Sequence, residues 1–500
     1  MTRIFIICLS IISAGTAYIT LTRSEDLSGT PILTWVTDPN PARYEQIDFF
    51  HDWLIAQGHT DENGDPIVRI QLETGGVDNK KIIHGVSGVA GDILDMYNEV
   101  DQFKKLGILE DLTDYADRYG FGPDQTYDAI KNDIVIGGKQ FAFPCNVTSH
   151  ACWINMDVMQ AAGIDQLPES WTVEAFERIG KKFVQNMNSS NEAQNYFFMN
   201  NPGDDQFVGW ITVLMRSKGG SFYNETMTEC ILDQGPFAEM IDLNIKWIEE
   251  DRIFPNAAEA SSFSASGGYG GAKMSLFLEG KYGMINLGRW LLVRMREMEN
   301  PPKVAVSRYP YFDYENTTIG SRCSSIYKGS KHKDLAALFL AFLASDKYNN
   351  QIVDCADALP PNPNFCSSQR FLRPSEYPNE WGAHGAAFRS ADEVAIPDAK
   401  SLFISQQILG RELRTAFEKV QSKLSNSAIA SLQAAEAVNE EIKRNVSNSL
   451  RLEKKFKNAL ALQAKIDAFK KAGKKIPVDW ISNPFLKKYY RSLGMLEETK

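Results

Sequence analysis

The run FLEGKYGMINLGRW, Phe277 to Trp290, places a large aromatic ring just past a short apolar stretch and a glycine. A ring that leaves a strand pattern beside a glycine is free to face a ligand rather than the core. Similar residue sets recur where strands hand over to loops. Trp35, Thr37, Asp38 and Asn40 follow the first apolar run, Asp95, Tyr97 and Asn98 follow the third, and Thr148, His150 and Trp153 sit near a hairpin pattern. Trp210 completes the candidate set. Flat rings beside amides and carboxylates suit a sugar, whose ring has C–H faces and a hydroxyl rim. Taken singly, Trp35 and Trp153 read first as core residues on strands, Asp38 before Pro39 as a turn former, and Asn98 as a helix cap. Trp290 is the position where a functional reading outweighs the structural one.

Other chemistries find less support. None of the six histidines pairs with another at metal-ligand spacing on one helix, and there is no nucleophile elbow, phosphate loop or dinucleotide glycine fingerprint. The stretch SGGYGG lacks the lysine that a phosphate loop requires. Carboxylates such as Asp38, Asp92, Asp95, Asp204 and Asp205 are plentiful, so a glycosidase pair stays open, but no two are singled out. No metal, cofactor or catalytic residue is expected. Beyond Cys8 six cysteines remain, compatible with buried thiols or with one or two bridges, and Cys355 with Cys366 is the first pair to consider.

The elements that must position these residues belong to a chain of 500 residues, 43% hydrophobic and 23% charged, long enough for two or more domains. A net charge of −10 argues against a nucleic-acid-binding body. The charge is uneven: residues 451–500 carry 13 Lys and Arg against 5 Asp and Glu, a net +8 that leaves −18 for the rest. Residues 4–21 are apolar and uncharged after Arg3, with Gly15 and Ala17 as small residues near the end, so 1–21 reads as a signal peptide or an N-terminal membrane anchor.

Along the chain, PILTWVT, PIVRIQLE and DILDMY read as strands alternating with helical patterns, which implies a largely parallel sheet of α/β class. One helix is expected over EVDQFKKLGILEDLTDYADRY, a helix capped by Ser170 or Thr172 follows, KDLAALFLAFLASDKYNNQIV reads as a strongly apolar helix pair, and a helical pattern runs from Ser427 to Ala472 before Gly473.

Five patterns in order make residues 31–443 resemble the extracellular solute-binding proteins of ABC importers, in their carbohydrate-binding, maltose-binding-protein-like group. They are ILTWVTDPN, GDILDMYNEVDQFKKLGILEDLTDY, FAFPCNVTSHACWINMDVMQAAGI with SWTVEAFERIGKKF, FLEGKYGMINLGRW, and DLAALFLAFLASDKYNNQIV with LPPNPN. The resemblance implies a two-lobed periplasmic-binding-protein fold of type II kind, with a hinge and a ligand cleft between the lobes. Lobe one would be 31–146 with 312–353, lobe two 147–311 with 354–448, and 451–500 a basic helical extension. It implies that Trp290 stacks on a sugar ring, that Thr37, Asp38 and Asn40 make polar contacts, and that a monomer hands its carbohydrate to an ABC permease outside the cytoplasmic membrane. Ile154 before Asn155, where relatives carry Tyr, and Cys145 with Cys152 are departures. The N-terminal run and the basic tail are candidate membrane contacts. Rival readings are an enzyme on the same scaffold, a glycosidase or a Cys-dependent transferase, and a ligand-loaded sensor partner.

Overall fold

The computed structural model describes residues 29–75, 78–97, 99–188, 194–202, 206–262 and 270–498. The apolar run 1–21, the candidate Asn98, the acids Asp204 and Asp205, and residues 263–269 lie outside the described residues. The chain forms two compact units, one of residues up to Val147 with Gly320–Ser368, the other of Thr148–Ile319 with residues from Gln369 on. Two segments therefore fall differently from the expected lobes. Residues 354–368 join the first unit, where Leu359 bridges Val147, and 312–319 join the second, where Thr317 pairs with Ala395 and Asn316 Nδ2 donates to the Val213 carbonyl at 3.1 Å.

The strands used below are β1 (Ile32–Thr37), β2 (Arg69–Thr74), β3 (Ile93–Tyr97), β4 (Phe143–Ser149), β5 (Ala151–Asn155), β6 (Phe197–Met199), β7 (Tyr282–Leu287), β8 (Val304–Ser307), β9 (Thr317–Ile326) and β10 (Ala395–Ile396). In the first unit β2, β1 and β3 are parallel, with Trp35 opposite both Leu72 and Ile93. Residues 322–326 of β9 then pair antiparallel with β3, and β4 pairs with β9. Helices Ala42–Ala56 and Lys333–Ala344 cover this sheet. Every residue from Ala336 to Leu343 is buried, as the unbroken apolar run requires, and Phe339 packs on Trp35 with Phe50 and Phe342 against one another in the same core. The helix expected over 99–119 is two, Val100–Lys105 and Thr113–Tyr119. Gly107 takes φ +73° between them, and Leu109 leaves to bridge Tyr327, so backbone pairing wins over helical periodicity.

The second unit holds a sheet in the order β8-β5-β7-β6, in which Trp153 lies opposite Val306 and Ile285. Its core is aromatic: Phe176, Trp210, Trp247 and Phe254 meet with ring centroids 5.3–6.2 Å apart. Thr172 is the residue that caps helix Val173–Met187, its Oγ1 accepting from the Ala175 amide at 3.3 Å. The pattern from Ser427 to Ala472 is also two helices, because Ser449 caps a new one, Leu450–Lys471, after Ser427–Ser447 ends.

The basic tail is built into this unit. Ile466, Ile481, Phe485, Leu486 and Tyr490 bury themselves around Ile396, with Tyr314 beside them. Below lies Glu225, 3% exposed, whose carboxylate accepts from Lys470 Nζ at 2.7 Å, Tyr490 Oη at 2.8 Å and Gln463 Nε2 at 2.7 Å. Burial alone would raise this acid, but the hydrogen bonds from Lys470, Gln463 and Tyr490 outweigh it and hold the carboxyl below its usual range. A carboxyl depressed in the folded state stabilises above its unfolded pKa, and that contribution is lost as pH falls through the folded value. We therefore expect melting temperature to drop as pH is lowered below about 4, with Glu225→Gln flattening part of that slope. Melts of both proteins between neutral and acid pH check it, and identical slopes would contradict it.

Candidate functional site

Because β1 and β3 are parallel and adjacent, their carboxyl ends deliver Thr37, Asp38 and Asn40 beside Asp95 and Tyr97. Asp95 is fully buried, and such a carboxylate survives in a core only when its oxygens are occupied. Trp35 Nε1 donates to it at 2.9 Å, while Thr37, Ser324 and Arg322 make close contacts to its two oxygens and Lys81 Nζ donates to its carbonyl at 2.7 Å. Trp35 is thus a core ring with its polar edge on a site carboxylate.

A second layer sits on top. Arg43, itself buried, grips Asp38 through Nε at 2.6 Å and Nη2 at 3.1 Å, and through Nη1 reaches Asp357 at 2.6 Å and Gln46 at 3.0 Å. Asn40 Nδ2 donates to Asp357 at 2.9 Å, and Tyr97 Oη donates to Asp38 at 2.9 Å. Burial works against the charge on Asp38, but Arg322 and then Arg43 overcome it and hold the carboxyl far below its ordinary range. Only two members of this group are reachable from solvent: Asp38, with 18% of its side chain exposed, and Tyr97 at 45%. The first unit therefore presents a permanently anionic acceptor beside a phenol, on a base of neutralised charge.

In the second unit β7 ends at Leu287, and Trp290 opens the short helix Leu291–Met295. The glycine between them does not supply unusual backbone freedom. It makes room: a Cβ on Gly288 would lie 2.8 Å from Thr148 Cγ2 and 2.9 Å from Trp290 Cδ1. Thr148 and the partly exposed Trp290 thus flank the bare Cα of Gly288. Behind the turn, buried Arg289 donates from Nε to His384 Nδ1 at 3.0 Å and lies over the Phe371 ring at 4.7 Å. His384 Nε2 faces Glu380 at 3.0 Å, and Glu380 accepts from Arg296 at 2.8 and 2.6 Å. Burial and Arg289 push His384 down to about 4, so it is neutral at physiological pH.

The structure thus brings Thr37, Asp38, Asn40, Asp95 and Tyr97 together over Trp35, and Thr148 together with Trp290. Trp153 and Trp210 fall elsewhere. Both are fully buried, Trp153 in mid-sheet and Trp210 in the aromatic core with Nε1 bonded to Asn244 at 2.8 Å, so ligand contact is replaced by packing. His150 uses its carbonyl to accept from Thr317 Oγ1 at 2.9 Å. The Cys355–Cys366 bridge is not formed: both residues are thiols, Cys366 Sγ lying 3.4 Å from Tyr127 Oη and Cys355 Sγ 4.0 Å from the Ile352 carbonyl. Arg43, Arg322 and Asp357 escaped the sequence reading. Arg322 inside the strand run TTIGSRCSSI was the one visible signal, since a buried strand carries a charge only with a partner.

Among the described residues no group of three or more His, Cys, Asp or Glu could hold a metal ion. The sequence model of bacterial extracellular solute-binding proteins matches residues 61–350, more than half of the chain. The chain belongs to that family. Solved structures similar to this solute-binding protein share its two-lobed fold. The ABC substrate-binding protein Lmo0181 from Listeria monocytogenes, in complex with cycloalternan, has 19% identity and TM-score 0.68, over 82% of this chain and 99% of that one. The cyclic alpha-maltosyl-1,6-maltose binding protein from Arthrobacter globiformis has 18% identity and TM-score 0.63, over 83% and 100%. UgpB from Mycobacterium tuberculosis, in complex with glycerophosphocholine, has 13% identity and TM-score 0.66, over 84% and 100%.

Proposed function

We propose that this solute-binding protein captures an uncharged carbohydrate outside the cytoplasmic membrane and delivers it to an ABC permease, making and breaking no bond. The observation that carries the ligand class is the pair of surfaces just described: a partly exposed indole at Trp290 for a C–H face, and the ionised Asp38 with Tyr97 for hydroxyls. An ionised acceptor at the rim favours hydroxyl donors and repels phosphate or uronate groups. The cycloalternan held by the Listeria protein and the sugar for which the Arthrobacter protein is named support the same class. The N-terminal run serves export or tethering in this reading, and the exposed lysines of helix Leu450–Lys471, among them Lys454, Lys455, Lys457 and Lys465, are the part that would meet an anionic membrane surface.

The test is a thermal-shift and calorimetric screen of residues 24–500 against mono- and oligosaccharides, with glycerophosphocholine as the competing ligand class. A ligand that binds only the folded state raises the melting temperature by mass action. We expect an oligosaccharide to give the largest shift and to be recovered unchanged. A larger shift with glycerophosphocholine would overturn the ligand class, and product in excess of protein would overturn the absence of chemistry.

A further inference from the structure

Two alanines adopt a backbone that glycine ordinarily supplies: Ala356 at φ 60° and Ala358 at φ 67°. A Cβ makes the left-handed region unfavourable, and such residues persist where their surroundings hold them there, often at functional positions. Between them lies Asp357, 1% exposed. Its Oδ1 accepts from Asn40 Nδ2 at 2.9 Å, its Oδ2 from Arg43 Nη1 at 2.6 Å and from Asn146 Nδ2 at 3.1 Å, and its carbonyl from Asn146 Nδ2 at 3.2 Å. Arg322 Nη2 stands 3.7 Å from the same carboxylate. One side chain therefore ties the loop after β1, the start of helix Ala42–Ala56, β4 and β9. The backbone explains how it gets there. Helix Asp346–Cys355 stops at the left-handed Ala356, and the chain turns again so that Leu359 pairs with Val147 through N···O distances of 2.9 Å.

We propose that Asp357 is a positioning residue for ligand capture: by fixing Arg43 and Asn40 it holds Asp38 in a single orientation at the rim. The proposal rests on the carbohydrate reading above. Arg43 has Asp38 on one edge of its guanidinium and Asp357 on another, so the second carboxylate decides where the first is held. An acceptor already fixed before a hydroxyl arrives loses little freedom on binding. Asp357→Asn keeps the shape but sets an N–H against one of the donors now served by Oδ1 or Oδ2.

The experiment compares Asp357→Asn, Asp38→Asn, the double variant and Ala356→Gly, by calorimetry with the best sugar from the panel, by melting, and by amide hydrogen exchange. Asp357→Asn should bind about five- to tenfold more weakly. The double variant should bind within about twofold of Asp38→Asn alone, because both changes act through one carboxylate. Exchange should rise at residues 38–43 while helix Lys333–Ala344 stays protected, and Ala356→Gly should bind like the parent. Unchanged affinity in Asp357→Asn, or additive losses in the double variant, would overturn the proposal. Should the parent bind no sugar in the panel, the carbohydrate reading falls, and exchange still decides the positioning claim: unchanged protection at 38–43 overturns it.

Discussion

Trp290→Ala is expected to weaken binding of the preferred sugar by about ten- to a hundredfold while leaving the melting temperature of the unliganded protein little changed. Covering one sugar face with an indole contributes roughly 1 to 3 kcal/mol, and a rigid two-torsion side chain loses little entropy in doing so. The fold should barely notice, because Trp290 is partly exposed and lies outside the sealed cores of both units. Trp290→Phe should lose much less. Gly288→Ala gives an independent check: its methyl would press on Thr148 and on the Trp290 ring, so it should cost affinity with the tryptophan still present. A Trp290→Ala protein that unfolds early and binds normally would make the ring a structural residue.

Asp95→Ala is expected to do the reverse, costing stability of about 3 to 5 kcal/mol, because removing one partner of a buried pair strands the other charge. Arg322 is 1% exposed and would lose its closest carboxylate, keeping its contact to Thr37 Oγ1 at 3.1 Å, the Trp35 ring at 5.9 Å and the more distant charges of Asp38 and Asp357. For a unit of this size that loss corresponds to a fall of roughly 6 to 20 °C in melting temperature. Asp38→Ala should cost less stability, since Arg43 keeps Asp357 and part of the Asp38 carboxylate is already hydrated. Melts of the two variants side by side check the contrast. Equal, small shifts would mean that the Asp95 cluster is not the buried ionic base its geometry indicates.

Much of the scaffold could be read from the sequence. Alternation of strands with helices located β1 to β3, and the apolar run 336–343 could only be an all-round buried helix. The cluster after β1 was legible too, since adjacent parallel strands deliver the residues at their carboxyl ends to one place. Trp210 was not. Trp210 and Trp290 are the same residue in similar apolar company, and what separates them is Asn244 and Trp247 packing on one and a bare glycine beside the other. Helix breaks at Gly107 and Ser449 were hidden for a related reason: hydrophobic periodicity continues across them, and only backbone partners reveal the interruption. Asp357 was the least visible of all. It sits between alanines, and its importance lies in φ angles and in partners more than 200 residues away.

The interleaving of the two units has a consequence for the order of events during synthesis. Neither unit is contiguous: the first needs residues as late as Ser368, and the second needs its tail. The Glu225 carboxylate emerges from the ribosome well before Gln463, Lys470 and Tyr490, which make its burial tolerable. The segment that covers Glu225 is also the one that satisfies it, so the carboxylate stays in water until its partners arrive to bury it. A product truncated before Lys470 is expected to leave Glu225 in water and the apolar surface around Ile396 uncovered.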